Sequence, residues 1–172
     1  NSSVADITLY VDYAKIIDFG SGVATGVKFD FELSSLLTIA AKLERRFNQG
    51  KYVPAYFNSL HEINRIQVDS SAGTFTSKAK LLSEFNEDTK GWYGDLLIRV
   101  LNLFDIYGSY QRLDKYSKSG QLNLRTAFEP EGAQIVLRAG YDKINIQNEK
   151  DIFTLDDRSY LFAEAGYKPV EY

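Results

Sequence analysis

The chain has 172 residues, 44% apolar and 25% charged, with 20 Lys plus Arg against 23 Asp plus Glu and a net charge of -3. That balance excludes a disordered segment, a collagen-like repeat and a basic nucleic-acid-binding domain, so no nucleic-acid partner is expected. With Cys and Met absent and His61 the single histidine, a disulfide scaffold, a Cys/His zinc site and thiol redox chemistry are excluded too. The length suits one domain, residues 1–172. No stretch reaches the roughly 18 apolar residues that a membrane helix needs, which leaves strand-built spans open. Asn1-Ser2-Ser3 carries neither an initiator Met nor a signal-type apolar stretch, so a processed or excised N-terminus is expected.

Taken in chain order, the dominant signal is alternation with period two, the mark of strands with one apolar and one polar face. Eight runs are predicted, over 5–14, 22–33, 36–47, 91–101, 104–114, 120–128, 133–143 and 158–168. One parity of the runs reads Ile7, Leu9, Val11, Tyr13; Val23 to Leu33 in steps of two; Leu37, Ile39, Ala41, Leu43; Trp92 to Val100; Phe104, Ile106, Gly108, Tyr110; Leu122 to Phe128; Ile135 to Tyr141; and Leu161 to Tyr167, without one charge. At a 25% charged fraction about nine charges would fall there by chance. The opposite parity carries Lys28, Asp30, Glu32, Lys42, Glu44, Arg46, Asp95, Arg99, Asp105, Arg125, Arg138, Asp142 and Glu164.

The links between runs are expected to alternate between long and short. Those at 15–21, 48–90, 115–119 and 144–157 fall on one rim of an up-and-down sheet, and tight turns at 34–35, 102–103 and 129–132 on the other. The insertion 48–90 is too long to lack structure in a compact domain. A short strand is expected over 62–68 and a short helix over 77–85 capped by Ser77, or else a hairpin that raises the strand count to ten.

Period two does not say whether the uncharged face meets lipid or a packed core. The charged parity mixes small and aromatic residues, including Tyr10, Gly26, Tyr107, Gly140 and Phe162, as a barrel lumen does. On the uncharged parity aromatics such as Tyr13, Phe31, Trp92, Phe104, Phe128 and Tyr167 sit towards strand ends, as in interfacial girdles.

With the alternating stretch Gly91-Trp92-Tyr93-Gly94-Asp95-Leu96-Leu97-Ile98-Arg99-Val100-Leu101, the turn Asn102-Leu103 and the return from Phe104 to Tyr110, the chain resembles the Gram-negative outer-membrane β-barrel class. The likeness is architectural and names no subfamily. It implies an antiparallel up-and-down transmembrane barrel of about 8 to 10 strands. Pro169-Val170-Glu171-Tyr172 reads as the opening of a further strand, in which case the chain is part of a larger barrel. The expected role is a pore, transport or surface-anchor protein of the outer membrane. The bilayer would be its partner, long extracellular loops would make any further contacts, and the thirteen charged residues would line the lumen.

Other motifs give way to simpler readings. Gly20-Ser21-Gly22-Val23-Ala24-Thr25-Gly26 has its third glycine one place late for a dinucleotide fingerprint, and a strand follows it instead of a helix. His61-Glu62 would need a second histidine where Arg65 stands. Asp156-Asp157 and the tract Glu84, Glu87, Asp88 lack the spaced ligand series of a calcium loop. No cofactor, metal or catalytic set is expected, and hence no enzyme. The competing reading is a soluble barrel, periplasmic or secreted, that encloses an apolar ligand with Leu96, Ile98, Leu124 and Leu137 inside.

Overall fold

The computed structural model describes residues 4–33, 36–53, 66–69, 74–84, 86–130, 132 and 134–169. The main strands are β1 (Val4–Ile16), β2 (Gly20–Glu32), β3 (Leu37–Gly50), β6 (Thr89–Val100), β7 (Phe104–Leu113), β8 (Gly120–Phe128), β9 (Ile135–Ile146) and β10 (Ser159–Tyr167). They form one antiparallel sheet in the order β1-β2-β3-β6-β7-β8-β9-β10, each strand beside its predecessor along the chain. All eight predicted runs are strands, with ends moved by three residues or fewer.

The insertion contains a separate hairpin, β4 (Ile66–Asp69) with β5 (Thr74–Ser77), leading directly into helix α1 (Lys78–Glu84). The helix falls where expected, and the strand that pairs with Ile66–Asp69 is Thr74–Ser77 rather than the 77–85 segment of the hairpin alternative, so ten strands are reached by a different pairing. Ser77 caps α1 as expected, its Oγ accepting the Lys80 backbone N–H at 3.2 Å. Of the strand expected over 62–68, residues 62–65 lie outside the described residues, as do Phe85 and 170–172.

Two expectations need correction. The eight strands do not close: β1 and β10 each pair on one side only, so the sheet is open rather than a complete barrel. The loop asymmetry is also weaker than predicted. The first link shrinks from 15–21 to 17–19, because the ladder runs on to Ile16 opposite Gly20, past the point where apolar alternation stops. Hydrogen bonding by the backbone does not need an apolar side chain. The rim that carries 17–19 and 114–119 owes its length to 51–88 and 147–158 alone.

The tight turns follow local chemistry. Between β6 and β7, Leu103 N–H donates to Val100 O at 3.0 Å, and Leu101 and Asn102 stand at φ 56° and 53°. Two consecutive left-handed residues make a type I′ turn, whose twist matches that of the flanking strands. Asn102 tolerates this conformation readily and Leu101 does not, so the ladder on either side holds Leu101 there.

The uncharged parity is mostly open to solvent, while the charged parity is buried at some positions and open at others, with the Lys28, Arg99, Arg138 and Glu164 side chains 45–55% exposed. On the uncharged parity Leu9 is 80% exposed, and central-strand residues are open too, with Leu43 at 49%, Leu96 at 42% and Leu137 at 46%. On the charged parity Glu44 is 6% exposed and Asp142 0%. Among the described residues only Val136, Tyr141 and Ile146 are buried hydrophobics. The accessible surface of 11719 Å² exceeds by roughly 3,000 Å² the value of about 8,500 Å² that a compact monomer of this mass presents. Among the described residues the apolar side chains do not converge on a core of their own.

Candidate functional site

The strand registers arrange the polar face into rows that run across the sheet. One row passes from Thr8 through Lys28, Lys42, Asp95, Ser109 and Asn123 to Asp142 and Tyr160. The next towards the long-loop rim holds Tyr10, Gly26, Glu44, Tyr93, Gln111 and Gln121. Towards the other rim lie Asp6, Asp30, Ala40, Leu97, Tyr107, Arg125, Gly140 and Phe162, and then Glu32, Thr38, Arg99, Asp105, Ala127, Arg138 and Glu164. Arg46 lies opposite Ala24 and Gly91. All thirteen residues singled out from the sequence share this face.

Pairing across strands and between alternate residues of one strand places most of these charges beside a partner. Lys42 Nζ lies 3.1 Å from Asp95 and 3.5 Å from Glu44, and Arg46 binds Glu44 at 2.6 Å. Arg99 pairs with Asp105 at 2.8 Å, Arg125 with Asp142 at 2.7 Å, Lys28 with Asp30 at 2.8 Å, and Arg138 with both Glu129 and Glu164. The arginines also lean on rings: Arg46 is 3.8 Å from the centroid of Tyr93 and Arg125 5.3 Å from that of Phe162. Hydrogen-bonded, stacked guanidinium groups are costly to move, so the face is stiff around β3 and β6. The β1–β2 end is different. Asp6 stands opposite Asp30, and Lys28 opposite Lys42, like charges that repel across the ladder.

Glycines let large side chains cross neighbouring strands. A Cβ at Gly26 would lie 2.6 Å from the Tyr10 hydroxyl, and one at Gly140 would overlap the Phe162 ring. An open recess of about 370 Å³ remains near the long-loop rim, bounded by Asp12, Lys42, Glu44, Arg46, Asn48 and Tyr93. Of its two carboxylates, Glu44 is already taken by Arg46 and Tyr10. Among the described residues no three acidic or histidine side chains converge as a metal site would require.

Sequence reasoning left out several charged residues. Asp6 and Asp12 alternate with Ile7 and Val11 and so belong to the polar face, bringing it to nine acids against six bases. Arg45, Arg112 and Lys143 lie within predicted runs but on the apolar parity, opposite Trp92, Trp92 and Leu122, so on those strands that parity is charge-free only as far as Leu43, Tyr110 and Tyr141. Lys90 joins Arg45 and Arg112 there, just beyond the last apolar residues at the long-loop rim. Continuing the count of alternate positions past the apolar stretch would have found all four.

The segment 147–158 folds back over the apolar parity of β9. Tyr141 donates its hydroxyl to Ile152 O at 2.7 Å and stacks on Phe153 at 6.3 Å. Lys143, 0% exposed, donates to Thr154 O at 2.5 Å, to Asp156 at 2.6 Å and to Ser159 Oγ at 2.9 Å. Arg158 also binds Asp156, and together with Lys143 it holds that carboxyl well below the usual carboxylate range.

Fold and site together define an all-β protein built on one antiparallel meander sheet, polar and ion-paired on one face and apolar on the other, which 147–158 covers only at the Tyr141–Lys143 end of β9. No family model, curated protein or solved structure matches the chain.

Proposed function

We propose that the chain forms part of the wall of a bacterial outer-membrane β-barrel that serves as a pore, transport or surface-anchor protein. The uncharged parity meets lipid and the charged parity lines the lumen. The observation that carries this reading is the inverted burial: leucines are exposed on edge and central strands alike, while Glu44 and Asp142 are buried in ion pairs. In water such a face would be a large aggregation-prone patch, whereas hydrocarbon is its natural solvent. Strand lengths of 9 to 14 residues meet the roughly 9 to 11 that a tilted strand needs to span a bilayer. No helix among the described residues is long and apolar enough to cross a membrane, which says nothing of strands.

Free edges at β1 and β10 support a barrel of more than eight strands, since an exposed ladder in hydrocarbon leaves backbone groups without partners. Residues such as Lys42, Arg46 and Asp95 then flank a water-filled path, and 51–88 and 147–158 face outward. The soluble-barrel reading would need Leu96, Ile98, Leu124 and Leu137 turned inward around an apolar ligand.

The test is direct. The purified full chain should require detergent or lipid to remain folded and should shift in gel mobility on heating. Trp92, the single tryptophan, should be quenched by bromine-labelled acyl chains. A chain that is monomeric and folded in detergent-free buffer overturns the proposal and favours the ligand-binding alternative.

A further inference from the structure

On the apolar parity, charge gathers at one rim only. Arg45, Trp92 and Arg112 lie side by side on β3, β6 and β7, and Lys90 faces Phe47 one pair further out. At the opposite rim the same parity ends in Phe31, Leu37, Val100, Phe104, Phe128 and Tyr167, with no charge. The Arg45 guanidinium sits 5.0 Å from the Trp92 centroid and 5.7 Å from that of Phe47, and the Lys90 ammonium 5.8 Å from Phe47. Among the described residues one acid, Asp114, pairs with these cations, in a bidentate contact with Arg45. Arg112 is oriented by the carbonyls of Ser117 and Gln147, at 3.2 and 3.0 Å.

We propose that Arg45, Lys90 and Arg112 form a binding site for the phosphate of an acidic membrane lipid in the leaflet that contacts the long-loop rim. The inference rests on the outer-membrane reading above. Cations directly above a continuous apolar wall fit an amphiphile whose chains lie along Leu43 and Leu96 and whose headgroup is anionic. Guanidinium groups bind phosphate through paired N–H donors, and Trp92 occupies the headgroup depth that indole rings prefer. A net excess of positive charge remains after Asp114 is counted. A free phosphate would have no use for the wall beneath, so the site is committed to a lipid.

The lone Trp92 reports on the site. The full chain, folded in uncharged maltoside micelles, is titrated with a bisphosphorylated glycolipid, with the same lipid after removal of its phosphates, and with inorganic phosphate. Trp92 emission should shift and saturate with the first only. Lys90→Gln should weaken the response about fivefold, the usual contribution of one cation at a lipid surface. Asp114→Asn, which releases Arg45, should strengthen it. Equal responses to both lipids, competition by inorganic phosphate at matching concentration, or an unchanged response in Lys90→Gln overturns the site. Quenching of Trp92 by bromine-labelled zwitterionic lipid separates the two failures. If quenching persists without a headgroup preference, only this inference falls; if quenching is absent, the outer-membrane reading falls with it.

Discussion

Tyr10 on β1 donates its hydroxyl to Glu44 on β3 at 2.6 Å, crossing the whole of β2 over Gly26. The bond exists because position 26 has no side chain. Gly26→Ala should displace the ring, leave Glu44 with one donor fewer and cost about 1–3 kcal/mol. Denaturant unfolding in lipid measures this. In a Tyr10→Ser background the same substitution should cost far less, since the clash is gone, and additive losses would refute the coupling.

Leu96 and Leu97 are neighbours in sequence on opposite faces of β6. Leu96→Arg should lose roughly 2–4 kcal/mol of stability in a bilayer. Leu97→Arg, on the face that already holds Tyr107 and Arg125, should lose much less. Equal costs at the two positions would mean that lipid does not distinguish the faces.

Lys143 ties 147–158 to β9 through three acceptors. Lys143→Met removes one donor each from Thr154 O, Ser159 Oγ and Asp156, which keep Ser159 Oγ, the Asp156 N–H and Arg158 as partners, and should cost about 1–3 kcal/mol. Limited proteolysis should then cut within 147–158 in the variant and spare the wild type.

The same clasp sets an acid limit. Because the folded Asp156 carboxyl titrates below its ordinary value of 3.8, its contribution is complete above that pH and is lost as pH falls towards the folded value. Protease resistance of 147–158 should therefore hold from neutrality down to about pH 4 and fail below it. Loss of protection between pH 7 and 5 would place the clasp elsewhere.

Nine acids against six bases on the polar face, with Asp6, Asp12, Asp30 and Glu32 gathered on β1 and β2, predict modest cation preference if the protein forms a pore. Reversal potentials across a planar bilayer under a salt gradient measure it. The double variant Asp6→Asn, Asp12→Asn should shift the potential towards zero. Anion preference in the wild type would contradict the lumen assignment.

Much of this fold is legible in the order of side chains. Alternation located all eight strands of the main sheet, and the parity of Lys42, Glu44 and Asp95 placed them together before any register was known. Boundaries were less legible, because backbone pairing continues through Lys15, Arg45 and Asn48, where apolar alternation has already ended. For the same reason Arg45, Lys90 and Arg112 were missed: they continue the apolar parity without being apolar.

What the sequence determined by itself is the two-faced character of each strand, since a period of two needs only neighbouring positions along one chain. Tertiary structure alone decided that most of the uncharged face stays open, that β1 and β10 remain apart, and that 147–158 covers the end of that face on β9 through Tyr141 and Lys143. Each depends on contacts between residues far apart in the chain, whose meeting is set by strand register and sheet curvature rather than by any local pattern.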